Sequence, residues 1–391
     1  MVWSVPQLVR RSGRLSTLPV ESISDLLGLF PKDTCLTIKR APSRFFMYEE
    51  HAPNKIKDKD AAATIAATPS EFGALLTERN GSHYYWTAPL ASAAPDLLRE
   101  RFGWYSDLHD ESDRPLLDPR GPSLWIGTSG SGTQCHYDVA NNIILQLHGT
   151  KRVRCYSPSL GVRHLHVFPD AHPRARKSQV DFDDVDLGRF PQFEDCPAPS
   201  FDVVLGPGDM LKIPAFWFHH VENGKHSSSN GNAIDSPTAS LNSFSLSKPM
   251  LAAQQIFKQG SQFGRGELGD RKISVLRARG ARLLEHLNIN DQDEWIERNL
   301  LKARFKPLEN FEGREASIQE NKFELTQHQI DDVEACVDGT MPYFEQIITE
   351  QDESGDGDGI AQLVALHLME LWAVQLVGAS AVGRAWREAL A

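Results

Sequence analysis

The pair His136 and Asp138, in Cys135-His136-Tyr137-Asp138, joined far downstream by His219 at the end of Pro214-Ala215-Phe216-Trp217-Phe218-His219, constrains the fold more than any other feature. Side chains alternate along a strand with period two, so a strand over 134–138 projects His136 and Asp138 from one face. In Asp209 to His220 the odd positions are Asp209, Leu211, Ile213, Ala215, Trp217 and His219. That face is mostly apolar and ends in His219, while His220 points to the other face. Two distant strands that bring these side chains together describe the interior of a β-barrel. Two imidazoles and one carboxylate are the ligand set of a facial-triad Fe(II) site, which leaves positions open for a bidentate co-substrate and dioxygen. An isolated H-x-D is weak in a chain with 14 histidines, so its surroundings decide.

Lys151 is the first of these surroundings. The apolar run Ile143-Ile144-Leu145-Gln146-Leu147, the turn-like His148-Gly149-Thr150 and the run Lys151-Arg152-Val153-Arg154-Cys155-Tyr156 predict a β-hairpin with Gly149 in its turn. A buried ammonium there needs a partner, and the carboxylate of a metal-chelating ligand would serve. The alternative is a solvated edge-strand lysine beside Arg152 and Arg154, and spacing alone leaves both readings open.

His136-Tyr137-Asp138, Asn142, Gly149 to Val153 and Ser157-Pro158 resemble the core of the JmjC-type Fe(II)/2-oxoglutarate oxygenases. Gly206 to Pro214 followed by Phe216 to Val221 is similar to that family's second signature, and Asn242-Ser243-Phe244 to the strand that closes its barrel. The likeness covers roughly residues 84–250, with the pieces in order. Within the family it is nearest to the small stand-alone hydroxylases: the tRNA wybutosine hydroxylases first, then the asparaginyl hydroxylases that inhibit the hypoxia factor. The resemblance implies a mainly β fold with flanking helices, a double-stranded β-helix (jelly-roll, cupin) core and a C-terminal helical domain. It implies His136, Asp138 and His219 as iron ligands. It implies Lys151 and Thr133 on the distal carboxylate of 2-oxoglutarate, and Asn142 and Asn242 lining the co-substrate pocket. Tyr84 or Tyr85 matches a nearby aromatic hydroxyl. Phe244 departs from the Trp common in relatives, which concerns pocket shape. The implied cofactors are Fe(II), 2-oxoglutarate and O2. The implied substrate is a tRNA base or a protein side chain, undecided between the two.

The chain has 391 residues, 40% hydrophobic and 24% charged, ordinary for a globular protein. This is enough for an N-terminal mixed α/β region (1–83), a catalytic β domain (84–250) and a helical region (251–391). A net charge of −11 gives no global attraction to nucleic acid. Five scattered cysteines without a C-x-x-C suggest neither a disulfide framework nor a zinc module. A reducing cytoplasmic or nuclear location is expected. A mitochondrial presequence over the Arg-bearing residues 1–20 is the less favoured alternative to a simple N-terminal arm. Gly127, Gly130 and Gly132 precede a strand rather than a helix, and no Gly-Lys-Ser/Thr follows, so a phosphate loop is not expected.

Short helices are predicted after Ser22, over 69–79 and over Pro95 to Arg101, with a strand near Cys35 to Lys39. Asn80-Gly81 reads as a turn. Lys225 to Pro237, rich in Ser, Asn and Gly, reads as a disordered loop, and Arg163 to Lys177 as a basic surface loop between barrel strands. Ile273 to His286 is predicted helical, its Arg277, Arg279 and Arg282 forming a solvated basic face or, alternatively, meeting RNA phosphates. Asp352 to Gly359 reads as an acidic loop; it lacks the closing Glu of a calcium loop. Ile360 to Val377 is apolar but interrupted by Gln362, His367, Glu370 and Gln375. It is therefore expected to be a buried helix rather than a membrane span, and a candidate homodimer helix. The expected activity is hydroxylation. A non-catalytic cupin-like scaffold and a JmjC lysine demethylase are the alternatives.

Overall fold

The computed structural model describes residues 4–10, 22–46, 62–78, 80–109, 111, 114–172, 174–224, 226–227, 233–234, 236–261, 271–308, 325–351 and 356–391. The chain falls into two compact units: residues 3–156 with 199–247, and residues 157–198 with 248–391.

The first unit is built on strands β1 (Gln7–Val9), β2 (Leu36–Ala41), β3 (Ala63–Ala67), β4 (His83–Pro89), β5 (Ser123–Gly127), β6 (Gly132–Tyr137), β7 (Ala140–His148), β8 (Lys151–Tyr156), β9 (Phe201–Leu205), β10 (Met210–Ile213), β11 (Phe218–Asn223), a short pair β12 (His226–Ser227) and β13 (Ala233–Ile234), and β14 (Thr238–Leu246). One sheet has the order β1-β10-β7-β14-β5-β4-β2-β3, the other β6-β11-β8-β9. From β5 onward the chain passes repeatedly between the two sheets, which is the winding of a double-stranded β-helix, or jelly roll. The expected fold class is the observed one.

Alternation along the strands makes two cores. Ile144, Leu211 and Ile213 of the large sheet meet Val153, Cys155, Leu205 and Val221 of the small sheet between the layers. Ile143, Leu145 and Leu241 face the other way and pack with Leu26, Phe72 and Leu97. These last three come from helices α1 (Ile23–Gly28), α2 (Pro69–Thr77) and α4 (Pro95–Arg101), with α3 (Leu90–Ala93) between. A strand covered on both faces reads as an unbroken apolar run, which is why β7 shows none of the usual alternation. The helices begin where their caps dictate. The Ser22 hydroxyl accepts from the Asp25 amide, and Thr68 with Glu71 forms a reciprocal capping box.

Two sequence expectations fail here. β7 and β8 do not form a hairpin: β7 pairs with β10 and β14, and β8 with β9 and β11. The turn at Gly149 instead carries the chain from one sheet to the other. Gly149 has φ 66°, and a Cβ there would stand 2.5 Å from the Pro237 carbonyl oxygen, so glycine is required twice over. Turn residues between apolar runs report a reversal, not whether the two strands stay paired. Likewise Asp209 to His220 is not one strand. It breaks into β10 and β11 around a turn in which Phe216 takes φ 66°.

The second unit contains α5 (Pro158–His164), α6 (Lys248–Gly260), α7 (Lys272–His286), α8 (Gln292–Trp295) running into a π-helical stretch Ile296–Phe305, then α9 (Gln327–Asp338), α10 (Met341–Gln351), α11 (Gly357–Val377) and α12 (Val382–Leu390). α11 is its central post, packed against α5, α6, α7, α10 and α12. It is the one described helix long and apolar enough to cross a bilayer, and 72% of its most apolar stretch is buried inside the protein. Its polar interruptions are internal too. Glu370 pairs with Arg304 at 2.5 Å and accepts from the Asp170 amide, and His367 pairs with Asp170 at 2.6 Å. Most of α11 is thus engaged within its own unit.

Arg163 to Lys177 is not a plain surface loop. Leu165, His166, Val167 and Phe168 are buried, and burial pulls His166 down to about 4, so it stays neutral. On α7, Arg277 and Arg282 stay at the surface in ion pairs, and Arg279 is the exception to the predicted basic face. Arg277 pairs with Asp293, Arg282 pairs with Asp338, and Arg279 is buried over the Trp372 ring. Of the acidic loop, 352–355 lie outside the described residues and Gly357–Gly359 open α11. The predicted loop Lys225–Pro237 lies largely outside them as well, as do 11–21 of the N-terminal arm, although Arg10 pairs with Asp209 at 2.5 Å.

Candidate metal site and the pocket beside it

His136 and His219 face each other across the β6–β11 ladder as a directly opposed pair, and Asp138 follows immediately after β6. Ligand atoms of all three lie within 4.8 Å of one another. The imidazole centroids are 4.2 Å apart, and His219 Nε2 is 3.6 Å from Asp138 Oδ2. Among the described residues this is the one group of histidine, cysteine and carboxylate ligand atoms so gathered.

The hydrogen bonds of the two rings test whether a metal fits. His136 Nδ1 lies 2.9 Å from the Gln134 carbonyl oxygen and His219 Nδ1 3.1 Å from that of Trp217. A carbonyl oxygen can only accept, so each Nδ1 carries a proton, and in the neutral ring Nε2 then presents its lone pair. That is the outer-shell arrangement that prepares histidine as a ligand. With one carboxylate alongside, the donor set fits a divalent transition metal with open positions. His220 belongs to the opposite face. Burial, then Arg154 and Arg44, hold it down to about 2, so it stays neutral.

The β10–β11 turn fixes where His219 stands. The Phe216 amide donates to the Asp138 carbonyl at 2.7 Å and the Ala215 amide to Asn141 Oδ1 at 3.0 Å. A left-handed φ is costly for a residue with a Cβ and persists when its surroundings impose it. These two bonds, with the Tyr137 ring stacked on Phe216 at 6.0 Å, impose it. They also tie the segment carrying Asp138 to the segment leading to His219. Asn141→Ala is therefore expected to lower stability by about 1–2 kcal/mol through the orphaned Ala215 amide and to weaken metal binding several-fold. Parallel melts and Mn(II) titrations check this; unchanged metal binding would leave Asn141 a purely structural residue.

Lys151 is buried, on the face of β8 that carries Val153 and Cys155. Its Nζ donates to Ser240 Oγ at 2.6 Å across the barrel interior. Among the described residues it has no carboxylate partner, and burial pulls it down to about 7. Ser240 Oγ contacts Asn242 Oδ1 at 3.1 Å, and Asn242 Nδ2 contacts Asn142 Oδ1 at 3.3 Å. Three of the residues the sequence singles out, Lys151, Asn242 and Asn142, thus form one hydrogen-bonded chain, with Ser240 as a link that sequence reasoning missed. Period two was the available signal, since Ser240 shares the face of Asn242 on β14.

Thr133 reaches this face by an irregularity. Between His219 and Val221 the β6–β11 register slips, so three steps along β6 match two along β11, and Thr133 opposes Val221. The extra residue undoes one alternation and returns Thr133 to the side of His136. Of Tyr84 and Tyr85, Tyr84 belongs to the outer core. Tyr85 opposes Gly127, which opposes Thr238, and so lies on the interior face. Beside it, Trp125 opposes Ser240. The buried Trp125 Nε1 has no hydrogen-bond partner among the described residues, an orphan donor next to a buried cation, as an anionic ligand would require.

The sequence profile of the cupin-like domain matches residues 47–244. Over 96 residues the chain is 41% identical to the tRNA wybutosine-synthesizing protein 5 of Danio rerio, covering 24% of this chain and 27% of that protein. It is 33% identical over 126 residues to human HSPB1-associated protein 1, covering 31% and 23%. It is 35% identical over 101 residues to the Arabidopsis thaliana lysine-specific demethylase JMJ30, covering 26% and 23%. The chain thus spans about a quarter of the length of each of these relatives. The jelly roll, a profile match over about half the chain and these relatives show that the chain belongs to the cupin-like, JmjC-type domain family.

Proposed function

We propose that this chain is an Fe(II)- and 2-oxoglutarate-dependent dioxygenase that hydroxylates a macromolecular substrate. The observation that carries the proposal is the pairing of a two-histidine, one-carboxylate group with a buried lysine that has no carboxylate partner among the described residues, inside one barrel. His136 and His219 would hold the metal through Nε2, and Asp138 through its carboxylate. Bound iron, with 2-oxoglutarate and dioxygen, supplies the oxidation that yields succinate, carbon dioxide and a hydroxylated substrate. Lys151 and Thr133 hold the far carboxylate of the co-substrate, while Asn142 and Asn242 line its path. The apolar interior excludes water, so each charge–dipole contact there is stronger than in solution.

A protein side chain is favoured over a tRNA base as substrate, because Arg277 and Arg282 of α7 are already ion-paired, Arg279 is buried and the net charge is −11. The names of the relatives span both classes. Succinate formation dependent on Fe(II) and 2-oxoglutarate tests the chemistry; absence of metal binding would leave the non-catalytic scaffold. Mass spectrometry of tRNA and proteome from cells with and without the protein, searching for a lost added oxygen, identifies the substrate. A lost methyl signature would indicate demethylation instead.

A pH dependence follows. Burial holds Lys151 down to about 7, so above that pH the dianion binds only with uptake of a proton. Affinity for 2-oxoglutarate is expected to fall by up to about tenfold per pH unit above 7. Titrations of the Mn(II)-loaded protein at pH 6.5 and 8.5 measure it. Equal affinities would mean that Lys151 keeps its proton without ligand.

A further inference from the structure

The chain of polar contacts across the barrel interior has a direction. An amide side chain has one accepting end and one donating end. Asn242 turns Oδ1 to Ser240 and Nδ2 to Asn142. Ser240 therefore gives its hydroxyl proton to Asn242 and receives from Lys151. The reverse orientation would direct two donors at Ser240, from Lys151 and from Asn242, leaving the hydroxyl proton of a fully buried serine without an acceptor. An ammonium has no lone pair to offer that proton, so a charged Lys151 selects the observed direction. Asn142 then accepts through Oδ1, and its Nδ2 donates to nothing among the described residues.

We infer that Ser240 is a positioning residue of the co-substrate pocket: it holds Lys151 in place and, through Asn242, orients the Asn142 amide, so that both present donors to one dianionic keto acid. This deepens the oxygenase reading and rests on it. Hydrogen bonds in series polarise one another in a low-dielectric interior, so the ammonium strengthens Asn142 as a donor at the far end. Ser240 touches neither metal ligand and is not a catalytic residue.

The test compares two ligands on the Mn(II)-loaded full chain by calorimetry: 2-oxoglutarate, and 2-oxobutyrate, a keto acid without the second carboxylate. Ser240→Ala is expected to weaken 2-oxoglutarate about tenfold, the equivalent of one charge-assisted hydrogen bond, and to leave 2-oxobutyrate and Mn(II) binding unchanged. In turnover the same variant raises KM for 2-oxoglutarate with kcat retained. Ser240→Cys keeps the volume but bonds weakly, and is expected to follow Ala, which guards against a packing artefact. Unchanged 2-oxoglutarate affinity, or an equal loss for both acids, overturns the inference. Failure of the wild-type chain to bind 2-oxoglutarate at all overturns the oxygenase reading itself.

Discussion

His219→Ala loses iron-dependent turnover and binds divalent metal more weakly by well over the roughly 10–100-fold that outer-shell changes cost, because a ligand itself is gone. Two of the three candidate ligands remain, one of them just beyond β6. The side chain is buried and its Nδ1–H serves the Trp217 carbonyl, so a fold cost of about 1–3 kcal/mol accompanies the loss. The two effects separate in a melting experiment. Metal at a hundred times its Kd stabilises a protein by about 2.7 kcal/mol, and that increment is expected in the wild-type chain and absent from the variant. His220→Ala is the control, since His220 lies on the other face of β11 and is expected to leave metal binding within a few-fold. Turnover at the wild-type rate in His219→Ala would remove this histidine from the site.

Lys151→Met separates stability from binding, with opposite signs. Removing one member of a buried, hydrogen-bonded charge pair costs about 2–5 kcal/mol of affinity, roughly 30- to 4000-fold in the Kd for 2-oxoglutarate. The ligand-free protein, in contrast, becomes more stable, by about 2–4 kcal/mol at pH 6, because methionine fills the site without a charge to desolvate. The sign with pH follows from burial, which lowers Lys151 to about 7 in the native chain against about 10.4 unfolded. Below pH 7 the native state holds the ammonium out of water and the penalty stands in full. Between 7 and 10.4 the unfolded chain binds more protons, so wild-type stability rises with pH and the gap to the variant closes. Denaturant melts at pH 6 and pH 9, with and without co-substrate, read all of this. A variant less stable than wild type at pH 6 would show that the ammonium is compensated in the empty pocket.

What could be seen in the sequence was whatever local alternation encodes. His136 with Asp138, the opposed faces of His219 and His220, the cap at Ser22 and the apolar run of α11 all follow from the chain's nearest neighbours. What escaped depends on partners far away in sequence. Nothing near Gly149 says that β7 and β8 part into different sheets, because their partners are β10, β14, β9 and β11. Thr133 was named through the family resemblance alone, because it stands an odd number of residues from His136 and meets its face only through a register slip. Ser240 carries no motif and gains its place from Lys151 on the opposite wall. Arg279 looked like solvated charge until α11 supplied the Trp372 ring above it.

The chain leaves the jelly roll after Tyr156, rejoins it at Pro199 and leaves again after Ser247. A recombinant fragment trimmed near residue 250 would therefore keep Leu165, Val167 and Phe168 while discarding the helices of their own unit. Greasy side chains stranded in this way favour clumping, so the jelly-roll unit is not a cassette that can be excised by cutting at one end, and a graft or swap would have to respect all three crossing points.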